Sequence, residues 1–76
     1  MTRIALYLEK LGWTRQWQAR EAWYISPDQQ LAVVLARDWW ELRRFTDSDG
    51  GQWMYESEGD DLVELQATLA GVPVAV

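Results

Sequence analysis

The period of hydrophobic and polar positions changes several times along the chain, and each change marks an element. Ile4, Tyr7, Leu8 and Leu11 fall at i, i+3, i+4 and i+7, the buried stripe of an amphipathic helix. The stripe predicts a helix over residues 2–11, with Thr2 as its N-cap and Gly12 placed to end it. Over residues 13–18 the period falls to two: Trp13, Arg15 and Trp17 alternate with Thr14, Gln16 and Gln18. That alternation predicts a first strand. After a loop at 18–21, a second strand is expected over 22–26, with Trp23 and Ile25 on one face and Tyr24 on the other. Ser26-Pro27-Asp28 reads as a turn, because proline presets φ and aspartate can bond its own backbone.

Residues 30–46 then predict a hairpin. The apolar run 31–36 suits either a strand covered on both faces or a short buried helix, and the aromatics that follow favour the strand. Arg37-Asp38 is the expected turn. Beyond it Trp40 and Leu42 point one way, and Trp39, Glu41, Arg43 and Phe45 the other. Successive strand residues face opposite sides, so Trp39 and Trp40 cannot both enter one core. Residues 47–51 include Gly50 and Gly51 and form a turn. A fifth strand over 52–57 carries Trp53, Met54 and Tyr55, and Gly59-Asp60 breaks it. Asp61 with Glu64 three residues later loosely matches a capping box. The stripe Leu62, Leu65, Leu69 and Val72, closed by Gly71 and Pro73, predicts a second helix.

The expected fold is α+β: an antiparallel four- to five-stranded β-meander between an N-terminal and a C-terminal helix, α-β-β-β-β-α with room for one more strand. Short connections imply antiparallel pairing. Two apolar helix stripes need a common surface, so both helices should pack on one sheet face and leave the other open. One domain over residues 1–72 with a short tail at 73–76 is expected.

At 76 residues, such a domain buries only about 60% of its unfolded surface. No cysteine is present to staple it, and six Trp, three Tyr and one Phe supply the apolar area. The absence of both His and Cys removes most zinc sites and the usual nucleophilic triads. Asp60 with Asp61, or Glu56 with Glu58, are carboxylate pairs by spacing, but acids at a helix start are expected for the dipole alone. Asp47, Asp49 and Glu58 fit positions of a calcium loop, yet Gln52 stands where that loop needs glycine. No catalytic site, metal or cofactor is expected. No apolar run approaches membrane-spanning length, and no secretory h-region is visible at the N-terminus. A cytoplasmic protein is the expectation. Six arginines against one lysine, with no asparagine, fit GC-rich codon usage of a bacterial or phage gene.

The net charge of −5 hides an asymmetry. Residues 1–46 hold seven bases and five acids, whereas residues 47–76 hold seven acids and no base. Two surfaces follow. The first is an aromatic patch on the open sheet face, Trp39, Arg43, Phe45, Tyr24 and Trp53, with Tyr55 as an alternative to Trp53. It fits a protein partner or a second copy of the chain. The second is the acidic block Asp47, Asp49, Glu56, Glu58, Asp60, Asp61 and Glu64, which in an inhibitor could mimic nucleic-acid charge and block a basic groove. Arg43 and Arg44 beside aromatics offer little to nucleic acid itself, because phosphate neutralisation dominates such binding and the chain is acidic.

Overall fold

Connections of two to five residues leave consecutive strands little choice but antiparallel pairing. The computed structural model describes residues 2–47 and 50–71. Asp49, the stripe residue Val72 and the tail 73–76 lie outside the described residues, as does the side chain of the expected cap Thr2. The elements run α1 (Thr2–Lys10), β1 (Thr14–Gln18), β2 (Glu21–Ile25), β3 (Leu31–Leu35), β4 (Trp40–Thr46), β5 (Gln52–Gly59) and α2 (Leu62–Leu69). The strands form one antiparallel sheet in the order β1-β2-β3-β4-β5. The α+β meander is thus observed, with all five strands present.

Local chemistry sets the ends of these elements. Gly12, at φ +87°, closes α1: its N–H reaches the Glu9 carbonyl at 3.0 Å, and the Trp13 N–H reaches that of Leu8 at 3.1 Å. This pair of bonds is a Schellman motif, and it favours glycine at the left-handed position. Ala19 and Arg20 form the two-residue loop between β1 and β2, and both have positive φ, at 48° and 64°. That is the backbone of a type I′ turn, in which Asn-Gly is preferred. At Arg37-Asp38 the Ala36 N–H bonds the Trp39 carbonyl at 2.9 Å, closing the expected tight turn. Asp61 caps α2 by accepting from the Val63 N–H at 2.9 Å.

Both helices lie on one face of the sheet. Ile4 and Leu8 of α1 and Leu65 of α2 join Tyr24, Val33, Trp40 and Leu42 in one buried cluster. Cross-strand pairs Tyr24↔Val33 and Val33↔Leu42 align these residues. Trp40, 1% exposed, is paired with Gly59 on β5. A Cβ at Gly59 would stand 2.6 Å from the Trp40 Cζ2, so only glycine lets the indole lie flat on the strand. The Trp40 Nε1–H donates to the Asp61 carbonyl at 3.0 Å, satisfying the one polar atom of the ring. Among the described residues, no helix is long and apolar enough to cross a membrane.

Gly59→Ala is expected to destabilise the protein by about 1–3 kcal/mol, the usual cost of overpacking; an unchanged urea midpoint would contradict the close approach. Replacing Ala19-Arg20 by Asn-Gly should raise stability by about 1–2 kcal/mol through relief of left-handed strain. A lower urea midpoint for that double variant would rule out the strained turn.

Candidate functional site

The helix-free face is built from Thr14, Gln16 and Gln18 of β1, Trp23 and Ile25 of β2, Ala32 and Val34 of β3, Glu41, Arg43 and Phe45 of β4, and Trp53 and Tyr55 of β5. The pairing places them together: Gln16↔Trp23↔Val34↔Glu41 forms one row, and Thr14↔Ile25↔Ala32↔Arg43↔Tyr55 the next. Phe45↔Trp53 belongs to a third row. Ala32 and Val34 are 0% and 1% exposed although no helix covers them. Side chains of the same face close over them.

Trp53 meets Trp23 edge-on with ring centroids 6.1 Å apart, and Phe45 meets Trp53 at 5.2 Å. In a flat sheet β2 and β5 are roughly 14 Å apart, and Trp53 also lies two rows from Trp23. That separation exceeds what two indoles span, so the sheet curls and this face is concave. The Arg43 guanidinium sits 5.4 Å from the centroid of the Trp23 ring and pairs with Glu41 at 2.8 Å. The face expected to be open is therefore helix-free yet largely closed by its own aromatics. Two buried donors on it, Trp23 Nε1 and Arg43 Nε, have no hydrogen-bond partner.

The curl leaves one cavity of about 430 Å³ at the end of the face, lined by Thr14, Gln16 and Gln18 of one edge strand and by Phe45 and Trp53 from β4 and β5. The turn from Ser26 to Gln30 forms its remaining wall. Ser26, 6% exposed, donates its hydroxyl to Asp28 Oδ1 at 2.6 Å and accepts the Leu31 N–H at 3.0 Å. The Gln30 N–H also reaches Asp28 Oδ1, at 3.0 Å. These bonds hold the Asp28 carboxyl below the ordinary carboxylate range, the Ser26 hydroxyl first and the Gln30 amide second. Asp28 therefore presents a fixed negative charge at the cavity rim.

Of the aromatic patch, Arg43, Phe45 and Trp53 are brought together, as their shared face implies. Tyr24 is a correction. It is 3% exposed beneath the helices, because its register with Val33 puts it on the covered face. Trp39 precedes β4, is 49% exposed, and stands six residues along the chain from Phe45, at the far end of the hairpin. Tyr55 is exposed and donates to Glu58 at 3.2 Å; partial desolvation of the phenol and this carboxylate push its pKa up. Three of the acids have local partners. Glu56 pairs with Arg44 at 2.8 Å, Asp61 caps α2, and Glu58 takes the Tyr55 hydroxyl. Asp47, Asp60 and Glu64 are exposed, and Asp49 lies outside the described residues. Among the described residues no three acids gather in a group able to hold a metal ion.

Trp23, Gln16, Gln18 and the Ser26–Asp28 pair were not expected in the site. The Ser-Pro-Asp turn was visible as a turn but gave no sign that it would border a groove. Comparison of the chain with protein-family models, curated proteins and solved structures finds no match.

A carboxyl with a depressed folded pKa adds stability that is present above its unfolded value and lost as pH falls through the folded one. Asp28→Asn is therefore expected to flatten the fall of thermal midpoint between about pH 5 and pH 2. Identical acid slopes for the two proteins would contradict the anchoring of this turn.

Proposed function

We propose that the chain is a small non-enzymatic interaction domain that holds an extended segment of a protein partner in its concave groove. The observation that carries this reading is the convergence of both sheet edges on one cavity of about 430 Å³. Phe45 and Trp53 offer apolar wall, Gln16 and Gln18 offer donors and acceptors, and Asp28 offers charge. A few polar groups placed around an apolar surface are the usual make-up of a recognition site. The favoured ligand has an apolar or aromatic residue beside Lys or Arg, the basic residue answering Asp28 and the net charge of −5. Acid–base chemistry is disfavoured because, among the described residues, Asp28 is the one carboxylate in the lining, and Ser26 and Gln30 already engage it. A cytoplasmic setting suits a chain that has no cysteine to staple.

Random peptides displayed in a library and panned on the purified chain are expected to enrich such sequences. Gln16→Lys, which narrows the groove and repels a basic ligand, should weaken the enriched peptides at least about tenfold, or ~1.4 kcal/mol. Reversal of Asp60 and Glu64 to lysine should leave them unaffected. Binding that survives Gln16→Lys but is lost on reversing those acids would transfer the function to the acidic surface.

A further inference from the structure

The two edges of the sheet differ. The β5 edge is interrupted by a bulge, where the register with β4 shifts at Leu42/Arg43, and it carries Glu56 and Glu58. Bulges and charges are the usual guards of an edge. The β1 edge has neither proline nor bulge, its single charge is Arg15, and all five of its residues are exposed.

Its outward hydrogen-bonding groups can be assigned. A two-residue loop at Ala19-Arg20 makes its flanking residues Gln18 and Glu21 a hydrogen-bonded pair. Alternation then makes Gln16↔Trp23 and Thr14↔Ile25 hydrogen-bonded too. The bond from the Ser26 N–H to the Leu31 carbonyl at 2.9 Å agrees, since it assigns the even-numbered residues of β2 to β3. Arg15 and Trp17 therefore turn their N–H and C=O groups away from the sheet.

On the helix side, Arg15 lines a hollow of about 480 Å³ with Ala5, Leu6, Glu9 and Ala22. Trp17, on that same side by its pairing with Ala22, is 66% exposed, and Leu6 is 52% exposed. We propose that the β1 edge pairs with the β1 edge of a second copy, antiparallel about a two-fold axis at Gln16, so that Trp17 of each chain enters the Leu6–Glu9–Arg15 hollow of the other.

The register follows from the outward groups, which require Arg15 and Trp17 to be the hydrogen-bonding residues. An axis at Arg15 would set two guanidinium groups face to face, a destabilising pair. An axis at Trp17 would shorten the overlap of the strands. With the axis at Gln16 all five residues of β1 are matched. Arg15 then meets Trp17 twice, and each contact is a cation–π pair. The contact is isologous, as two-fold symmetry demands, and it continues the sheet to ten strands. Trp17 seats on the face opposite the concave groove, while on the groove's own face Thr14, Gln16 and Gln18 of the second copy come to stand beside its rim; Arg15 and Trp17 are outside the groove lining, so their variants test the pairing without altering it.

Sedimentation over a wide concentration range is expected to show conversion to twice the 8.9 kDa chain mass. Trp17→Lys puts a cation opposite Arg15 and should raise the dissociation constant at least tenfold. Adding Arg15→Glu to it should restore pairing, because the introduced carboxylate of each chain then stands opposite the introduced ammonium of the other. Circular dichroism of each variant, expected to match that of the parent chain, checks that it is folded. Because the chain has no cysteine of its own, a single Gln16→Cys tests the axis directly. Residues opposite in a non-hydrogen-bonded pair have Cα atoms about 4.5 Å apart, within disulfide range. Oxidation should crosslink Gln16→Cys rapidly, and Thr14→Cys and Gln18→Cys slowly. A monomer at every concentration, or faster crosslinking at 14 or 18 than at 16, would overturn the proposal. So would a double variant no better associated than Trp17→Lys.

Discussion

The seat of Trp40 on Gly59 is the contact from which the rest of the structure hangs. It is the largest side chain among the fully buried ones, and it touches three elements at once. Its own strand is β4, its floor is the bare backbone of β5, and its Nε1 holds the carbonyl of Asp61. Asp61 in turn caps α2 through the Val63 amide. An eight-residue helix is marginal by itself in water, so α2 depends on this anchorage. Leu65, fully buried, then completes the core that Ile4 and Leu8 supply from α1.

That core occupies one face only, and among the described residues no helix covers the other. The sheet solves this by curling. Small residues at the centre, Ala32 and Val34, let the aromatics of β2, β4 and β5 meet above them. Arg43 completes the lid with its guanidinium on Trp23 and its charge answered by Glu41. The aromatic excess is thus divided: Trp23, Phe45 and Trp53 build a second small core, while Trp17 and Trp39 remain at the surface. The groove exists because closure is incomplete at the end where β1 and the Ser26–Gln30 turn approach Phe45 and Trp53.

The charges follow the same logic of local use. An exposed ion pair such as Arg44–Glu56 is worth little, about 0–1 kcal/mol, and Asp61 and Glu58 are used separately, as a helix cap and as an acceptor for Tyr55. Asp28 is different in kind: its partners are a buried hydroxyl and a backbone amide, so its charge is fixed in place beside the cavity.

The order of elements, the turns at Ser26-Pro27-Asp28 and Arg37-Asp38, the α2 cap and the common face of the two helices were legible in the sequence, because each rests on local rules: hydrophobic period, glycine and proline chemistry, and side-chain alternation. Alternation even separated Trp39 from Trp40 and grouped Glu41, Arg43 and Phe45 correctly. It could not place Tyr24 against the right layer. A strand pattern fixes which residues share a face within one strand, but not how neighbouring strands register. Only the pairing Tyr24↔Val33↔Leu42 decided that Tyr24 lies under the helices. The curvature of the sheet was likewise invisible, since it arises from contacts such as Trp23 with Trp53, thirty residues apart. Sequence determined the parts and their order; tertiary packing decided that the helix-free face is a groove rather than an open sheet.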